Sequence, residues 1–243
     1  MTASSSGRAA AEAPQPPGDD RVGVDPADAD PARRDPAGID GARELTPRGR
    51  TTRNKLVAAA WEIFSEKPYQ SARITEIAGR AGVATGSFYS YFPSKEALFR
   101  VVADRALAAM YEAPRRDPDN TERDPVRDIA YASRRYFLAC REHRVIAQSI
   151  EQLRSVDDEI RLSRRGTLLK AAKRSERWIR RLQDDDICDP TIDPWLTALA
   201  LQSMNVNLAY DQFVHRDDAQ DVDALVAAVT PIWARAVGLD RWL

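Results

Sequence analysis

The residues best suited to hydrogen-bond chemistry are concentrated between Thr85 and Phe92, where Thr85, Ser87, Tyr89, Ser90 and Tyr91 supply hydroxyls. Phe88 and Phe92 are four apart and fall on one face of a helix, which leaves the hydroxyls to other faces. One face packs and another is left to read a partner, while Gly86 lets a partner approach the backbone closely. Just upstream, Ile74, Ile77 and Ala78 give a short helix an apolar face at helical spacing, and Gly82 supplies a residue able to take φ > 0 and stop it. Pro93 closes the second helix, and Ser94-Lys95-Glu96 opens the next with a Ser N-cap and an acid in its first turn. The order is helix-turn-helix.

Covalent chemistry lacks its parts. Only His143 and His215 are present, without H-E-x-x-H, G-x-S-x-G, a glycine-rich phosphate loop or paired cysteines. Both histidines stand at expected helix ends, where capping accounts for them. The chain is therefore read as non-enzymatic, with no cofactor and no metal. Cys140 and Cys188 lack C-x-x-C spacing, which suits a reducing cytoplasm; a buried thiol is the plain reading of each, a redox pair the alternative. No run of eighteen apolar residues occurs, so no membrane partner is expected, and the expected location is cytoplasmic.

Within Arg73–Phe99 the run AGVATGSFYSYFPSKEALF resembles the DNA-binding helix-turn-helix of TetR-family transcriptional regulators, A-G-V-x-x-G-[ST]-[FL]-Y-x-[YH]-F-x-[SN]-K-[ED]-x-[LM]. The agreement covers nineteen consecutive residues and includes Gly86, Tyr89, Phe92 and Lys95. Two positions depart from the pattern: Arg73 and Ala84 stand where the family often has the hydroxyl N-caps of the two helices. The resemblance implies phosphate contacts from Tyr89, Tyr91, Lys95 and a basic arm that includes Arg50, with Arg73 as a point charge for a phosphate. It also implies that Thr85, Gly86, Ser87 and Ser90 face base edges of a double-stranded DNA operator.

The charge pattern agrees with that placement. Residues 43–105 carry 11 basic and 6 acidic side chains, a net of +5, although the whole chain is at −1. Arg43, Arg48, Arg50, Arg53 and Lys55 lead into a first helix expected over about 51–65, where they either reach phosphates or a minor groove or form a solvated linker. Leu56, Ala60 and Phe64, flanked by Val57 and Trp61, make its buried stripe, and Lys67-Pro68-Tyr69 ends it. A three-helix core of Phe64, Ile74, Ile77, Val83, Phe88 and Phe92 is small, so a fourth helix from Ser94 must brace it with Leu98, Phe99, Val102 and Leu107. Residues 1–45 hold Pro14, Pro16, Pro17, Pro26, Pro31 and Pro36 and little that is apolar, so a disordered tail is expected. With 4 basic and 8 acidic residues in 1–42 it is acidic, either a solvated extension or a competitor for the basic face.

From Asp124 onward the pattern stays helical, with helices expected over about 125–142, 144–155, 157–183, 194–215 and 222–237. The fold class is all-α: a tail over 1–45, a three-helix helix-turn-helix DNA-binding domain over 46–93, and a larger helical ligand-binding and dimerisation domain over 94–243. On the longest helix Leu168, Leu169, Trp178, Ile179 and Leu182 point inward and Arg161, Arg164, Arg165, Lys173, Arg174, Arg177, Arg180 and Arg181 mostly outward, as a solvated face rather than a second nucleic-acid site. The last two helices are apolar on more than one face, which predicts either a homodimer through them or a thick monomeric core, and Pro231 is expected to kink the second.

Gln202, Asn205 and Asn207 lie among Leu, Met and Val, where an unpaired amide costs about 1–3 kcal/mol. Tyr136, Phe137, Trp178, Gln202, Asn205 and Tyr210 are candidates to line a cavity whose amides fix the polar end of an otherwise apolar effector. A structural network, or bonding across a dimer, explains the amides equally well. Members of the resembled family commonly bind a small effector in this domain, so the implied function is a homodimeric repressor released from its operator by that effector. The alternative is an effector-independent activator or architectural DNA binder.

Overall fold

The computed structural model describes residues 46–111, 117–216 and 220–243. The expected tail over 1–45 lies outside them, as does Arg43. The described residues are helical, without strands: α1 (Pro47–Glu66), α2 (Ile74–Arg80), α3 (Thr85–Phe88), α4 (Lys95–Tyr111), α5 (Pro125–Glu142), α6 (Arg144–Leu153), α7 (Asp158–Asp184), α8 (Pro194–Phe213) and α9 (Val222–Ala236).

Local chemistry sets the helix ends. Thr46 caps α1, its Oγ1 accepting from Gly49 N at 3.1 Å, and Pro47 occupies the first turn. The helix thus begins four residues earlier than expected, and Arg48 and Arg50 belong to it rather than to a loose arm. Asp124, Asp157 and Asp193 cap α5, α7 and α8 in the same way. Arg73 has no hydroxyl to offer α2, but Glu76 Oε2 accepts from Arg73 N at 3.0 Å, so half of a capping box survives. Gly82 takes φ +66° to turn the chain between α2 and α3. The second helix of the motif is shorter than expected. Regular geometry ends at Phe88, and tighter turns follow, Tyr91 N donating to Phe88 O at 2.9 Å. Pro93 keeps the segment from running on into α4, because the residue before a proline is pushed out of the helical region.

One apolar cluster runs from α1 to α9. Phe64, Phe88, Phe99 and Leu98 are fully buried in the head, each side chain worth roughly 1.5–3 kcal/mol against exposure. Ile74 and Val83 pack only partly buried on that core. Trp61, expected in the core, sits at its rim instead, edge-on to His143 at 5.1 Å and beneath the Arg105 guanidinium. α4 is the common strut, touching α1, α5, α6 and α7; α7 packs on α8, and α5 on α9. Leu169 is only partly buried and lies outside the core cluster. Both cysteines are buried and free, and burial pushes the Cys140 thiol up to about 12, leaving it protonated and inert. Among the described residues no helix is long and apolar enough to cross a membrane.

Lys95 has a structural task. Its ammonium donates to Ala72 O at 2.9 Å and Tyr69 O at 3.2 Å and lies 4.4 Å from the Tyr69 ring centroid. The loop carbonyls after α1 depend on it. Lys95→Met keeps the aliphatic stem and removes the donor, so urea unfolding should show a loss of about 1–2 kcal/mol, against less than about 0.5 for exposed Lys55→Ala. Equal midpoints for the two variants would show that the carbonyls find water instead.

Candidate nucleic-acid interface and ligand cavity

The recognition segment presents the surface its sequence implies. Thr85, Gly86, Ser87, Tyr89 and Ser90 are exposed, while Phe88 and Phe92 beneath them are buried. Tyr89 is 57% exposed, its ring held edge-on by Phe88 at 5.3 Å, an unusual position for a large aromatic with nothing to cover it. A Cβ built on Gly86 meets nothing within 4 Å, so no atom of the chain itself requires glycine there. Tyr91 is half-buried and packs on the core, which leaves it less available than Tyr89.

Around this segment the basic groups divide. Arg80 pairs with Glu66 at 2.7 Å, and Lys67 with Glu76 at 2.7 Å, which holds both carboxyls below the usual range. Arg53 lies over the Phe92 ring at 4.9 Å. Arg50 and Arg73 are exposed, and no ion pair to a described carboxylate is formed by Arg48, Lys55 or Arg73. Lys95 differs from the expectation: its ammonium already serves two backbone carbonyls, so the family pattern's lysine acts first on the fold.

The body contains a cavity of about 670 Å³, within the roughly 300–1,000 Å³ of small-molecule sites. α4 contributes Met110 and Tyr111, α5 Ile129 and Tyr136, α7 Trp178 and Leu182, α8 Gln202 and Asn205, and α9 Trp233. Four of the six expected residues, Tyr136, Trp178, Gln202 and Asn205, line it. The other two are corrections. Phe137 is one position round the helix from Tyr136 and fully buried in the core. Tyr210 is buried beneath the Arg164 guanidinium, 4.5 Å from its ring centroid. Sequence reasoning missed Tyr111 and Trp233, apolar helix residues whose spacing does not distinguish a cavity wall from close packing.

The three amides also divide. Gln202 Nε2 donates to Ser175 Oγ at 2.9 Å, and Asn205 Oδ1 accepts from Trp233 Nε1 at 3.2 Å, so internal partners satisfy the atoms that sequence reasoning left open. Asn207 is exposed and needs no such account. Two of the basic residues expected outward on α7 turn inward: Arg164, over Tyr210, and Arg174, which donates to Tyr111 O at 2.6 Å. The Tyr136 hydroxyl is buried beside Cys140 and Tyr111, and burial keeps its phenol protonated. No cluster of His, Cys, Asp and Glu among the described residues is arranged to hold a metal.

Comparison with known proteins places this geometry. Residues 56–102 match the family described as bacterial regulatory proteins, tetR family. Over 53 residues the chain is 45% identical to an uncharacterised HTH-type transcriptional regulator, YvdT, of Bacillus subtilis; the match covers 22% of this chain and 27% of that protein. The HTH-type transcriptional regulator EthR of Mycolicibacterium smegmatis is similar over 197 residues at 21% identity, covering 81% of this chain and 91% of that one. Among solved structures, the fatty acid degradation regulator FadR of Bacillus halodurans superposes with a TM-score of 0.60 at 20% identity, over 75% of this chain and 94% of that chain, which shows a shared fold. The head over residues 56–102 is thus that of the tetR family of bacterial regulatory proteins, and the all-helical body shares the fold of such regulators.

Proposed function

We propose that the chain is a sequence-specific, double-stranded DNA-binding repressor that works as a homodimer and is released by a small, largely apolar effector. Residues 46–93 form the reading head and residues 94–243 the regulatory and dimerisation body. The observation that carries the first part is the exposed Thr85–Ser90 surface over a fully buried Phe88, with Arg48, Lys55 and Arg73 exposed in the same head and in no ion pair with a described carboxylate. Thr85, Gly86, Ser87 and Ser90 address base edges; Arg50, Arg73, Tyr89 and Tyr91 address phosphates; Lys95 holds the loop that sets their height. The cavity supports the effector and argues against a body packed solid, as an effector-independent binder would have it.

Dimerisation rests on what the last two helices leave uncovered. Leu196 is 62% exposed and Ile232 47%, with Ala200 on the same side of α8 and Ala224 and Ala228 on that of α9. An apolar patch rimmed by polar residues marks an interface, and a twofold copy sets two reading heads about 34 Å apart for successive major grooves.

Selection of fragments from a random duplex pool by the purified protein, followed by anisotropy titration at several salt concentrations, tests the head. Recovery of no sequence-enriched fragment would remove the reading. On the selected fragment, Gly86→Ala should leave stability equal or raised by up to about 1 kcal/mol, since alanine favours a helix, yet lower affinity at least about tenfold. Unchanged affinity would mean that no partner approaches that backbone. Ile232→Arg combined with Leu196→Glu should shift the protein to monomer in light scattering and weaken the fragment complex, without loss of helix by circular dichroism. A dimer that survives both changes uses another surface.

A further inference from the structure

The cavity's wall is apolar, but its mouth is not. Arg174, Arg177 and Arg181 follow one another at i, i+3 and i+7 along α7 and line the opening, and Arg123 faces them from the loop before α5. Asp128 and Asp185 are the two carboxylates in the lining. Asp128 is already engaged, its Oδ1 accepting from Asp117 N at 3.2 Å and Asn120 Nδ2 at 3.0 Å. None of Arg123, Arg177 and Arg181 forms an ion pair with a described carboxylate, so the opening carries a surplus of positive charge. Their neighbours on the same helix behave otherwise: Lys173 and Arg180 both reach Glu176, at 2.7 and 2.9 Å.

Two further observations bear on the same place. The backbones of Arg123 (φ 56°) and Asp186 (φ 54°), the two non-glycine residues with positive φ among those described, stand at the mouth or directly beside it. Such conformations cost of order 1 kcal/mol and gather at ligand sites. Inside, the Tyr136 side chain lines the cavity, with its hydroxyl buried behind the wall beside Cys140.

We infer that the ligand is an amphipathic anion: an apolar chain or ring system lodged between Trp178, Trp233 and Ile129, with a carboxylate or phosphoryl head held at the mouth by Arg177, Arg181 and Arg123. Guanidinium groups match both heads in planar, charge-assisted pairs, and a neutral or cationic head meets net repulsion or no partner. The inference rests on the effector reading above and sharpens it to a chemical class.

Trp178 and Trp233 supply an intrinsic fluorescence signal for the test on the full chain. Four probes share a decyl chain and are used below their micelle concentrations: decanoate, decyl phosphate, decanol and decyltrimethylammonium. At least one anion should bind about tenfold or more tighter than decanol, with the cation weakest, and the stronger of the two anions identifies the head. The double variant Arg177→Gln/Arg181→Gln, at exposed positions that leave the fold intact, should bring anion and alcohol to within about threefold of each other. Arg177→Lys/Arg181→Lys should keep part of the preference. Decanol or the cation binding as tightly as both anions, or a double Gln variant that retains the full preference, would overturn the inference. The same probes are then added to the complex with the selected DNA fragment. Arginine-dependent anion binding that leaves DNA affinity unchanged would uphold the anion site and remove the effector reading; release by decanol, equal in wild type and double Gln variant, would do the reverse.

Discussion

The structure depends on a knot of interactions around Tyr69. The ring lies between Phe64 and Phe99, with centroids at 6.0 and 4.9 Å, its hydroxyl donates to Glu96 Oε1 at 2.5 Å, its N–H to Ser149 Oγ at 3.0 Å, and its carbonyl accepts from Lys95. Burial and the Glu96 carboxylate raise the phenol well above its ordinary value, so it remains a donor. Four elements meet here: the end of α1, the turn into α2, the start of α4 and the middle of α6. A head of three short helices is too small to be stable by its own burial. It is stable as an extension of α4, and Tyr69 is where the loop leading into the reading helices is fixed to that strut.

The body solves a different problem, how to keep space open inside a helical core. Close packing is the default, and each methylene-sized void lowers stability. Here the wall is braced by bonds that leave the cavity open: Gln202 to Ser175 ties α8 to α7, Trp233 to Asn205 ties α9 to α8, and Arg174 to Tyr111 ties α7 to α4. Each satisfies a group that a dry cavity would orphan, and each fixes a large side chain at the wall rather than letting it collapse inward. The polar residues amid apolar helices act as spacers.

Much of this was legible in the chain. The start of α4 followed from the Ser94 cap, and α5 spans 125–142 as its helical pattern put it. The division of Thr85–Phe92 into a buried and an exposed face followed from the four-residue spacing of Phe88 and Phe92. What escaped was whatever depends on partners distant in sequence. Lys95 is basic and near an interface, so it read as a phosphate ligand; that its ammonium reaches the carbonyls of residues 69 and 72 is a tertiary fact. Trp61 read as core because periodicity reports which face is buried, not how deeply. Phe137 and Tyr210 show the same limit, since neighbours on a buried arc divide between cavity wall and solid core by a rotation of about 100° per residue.

The two regions are mechanically joined because α4 belongs to both. Its first turns carry Lys95, Glu96 and Phe99 of the Tyr69 knot, and its last turn carries Met110 and Tyr111 of the cavity wall. At 1.5 Å per residue this 17-residue helix spans about 25 Å, and on the proposed reading a displacement at the wall reaches the knot as a tilt of that rod. The Arg174 bond to the carbonyl of Tyr111 makes the last turn of that rod answer to α7, the helix that also bears the arginines of the mouth. On the proposed reading, an anion that draws Arg177 and Arg181 together acts on α7 and through it on α4, and the head moves with the rod. The size of the response is bounded by the ligand's difference in affinity between the two positions of α4, and by linkage the DNA-bound position must weaken the ligand by the same factor.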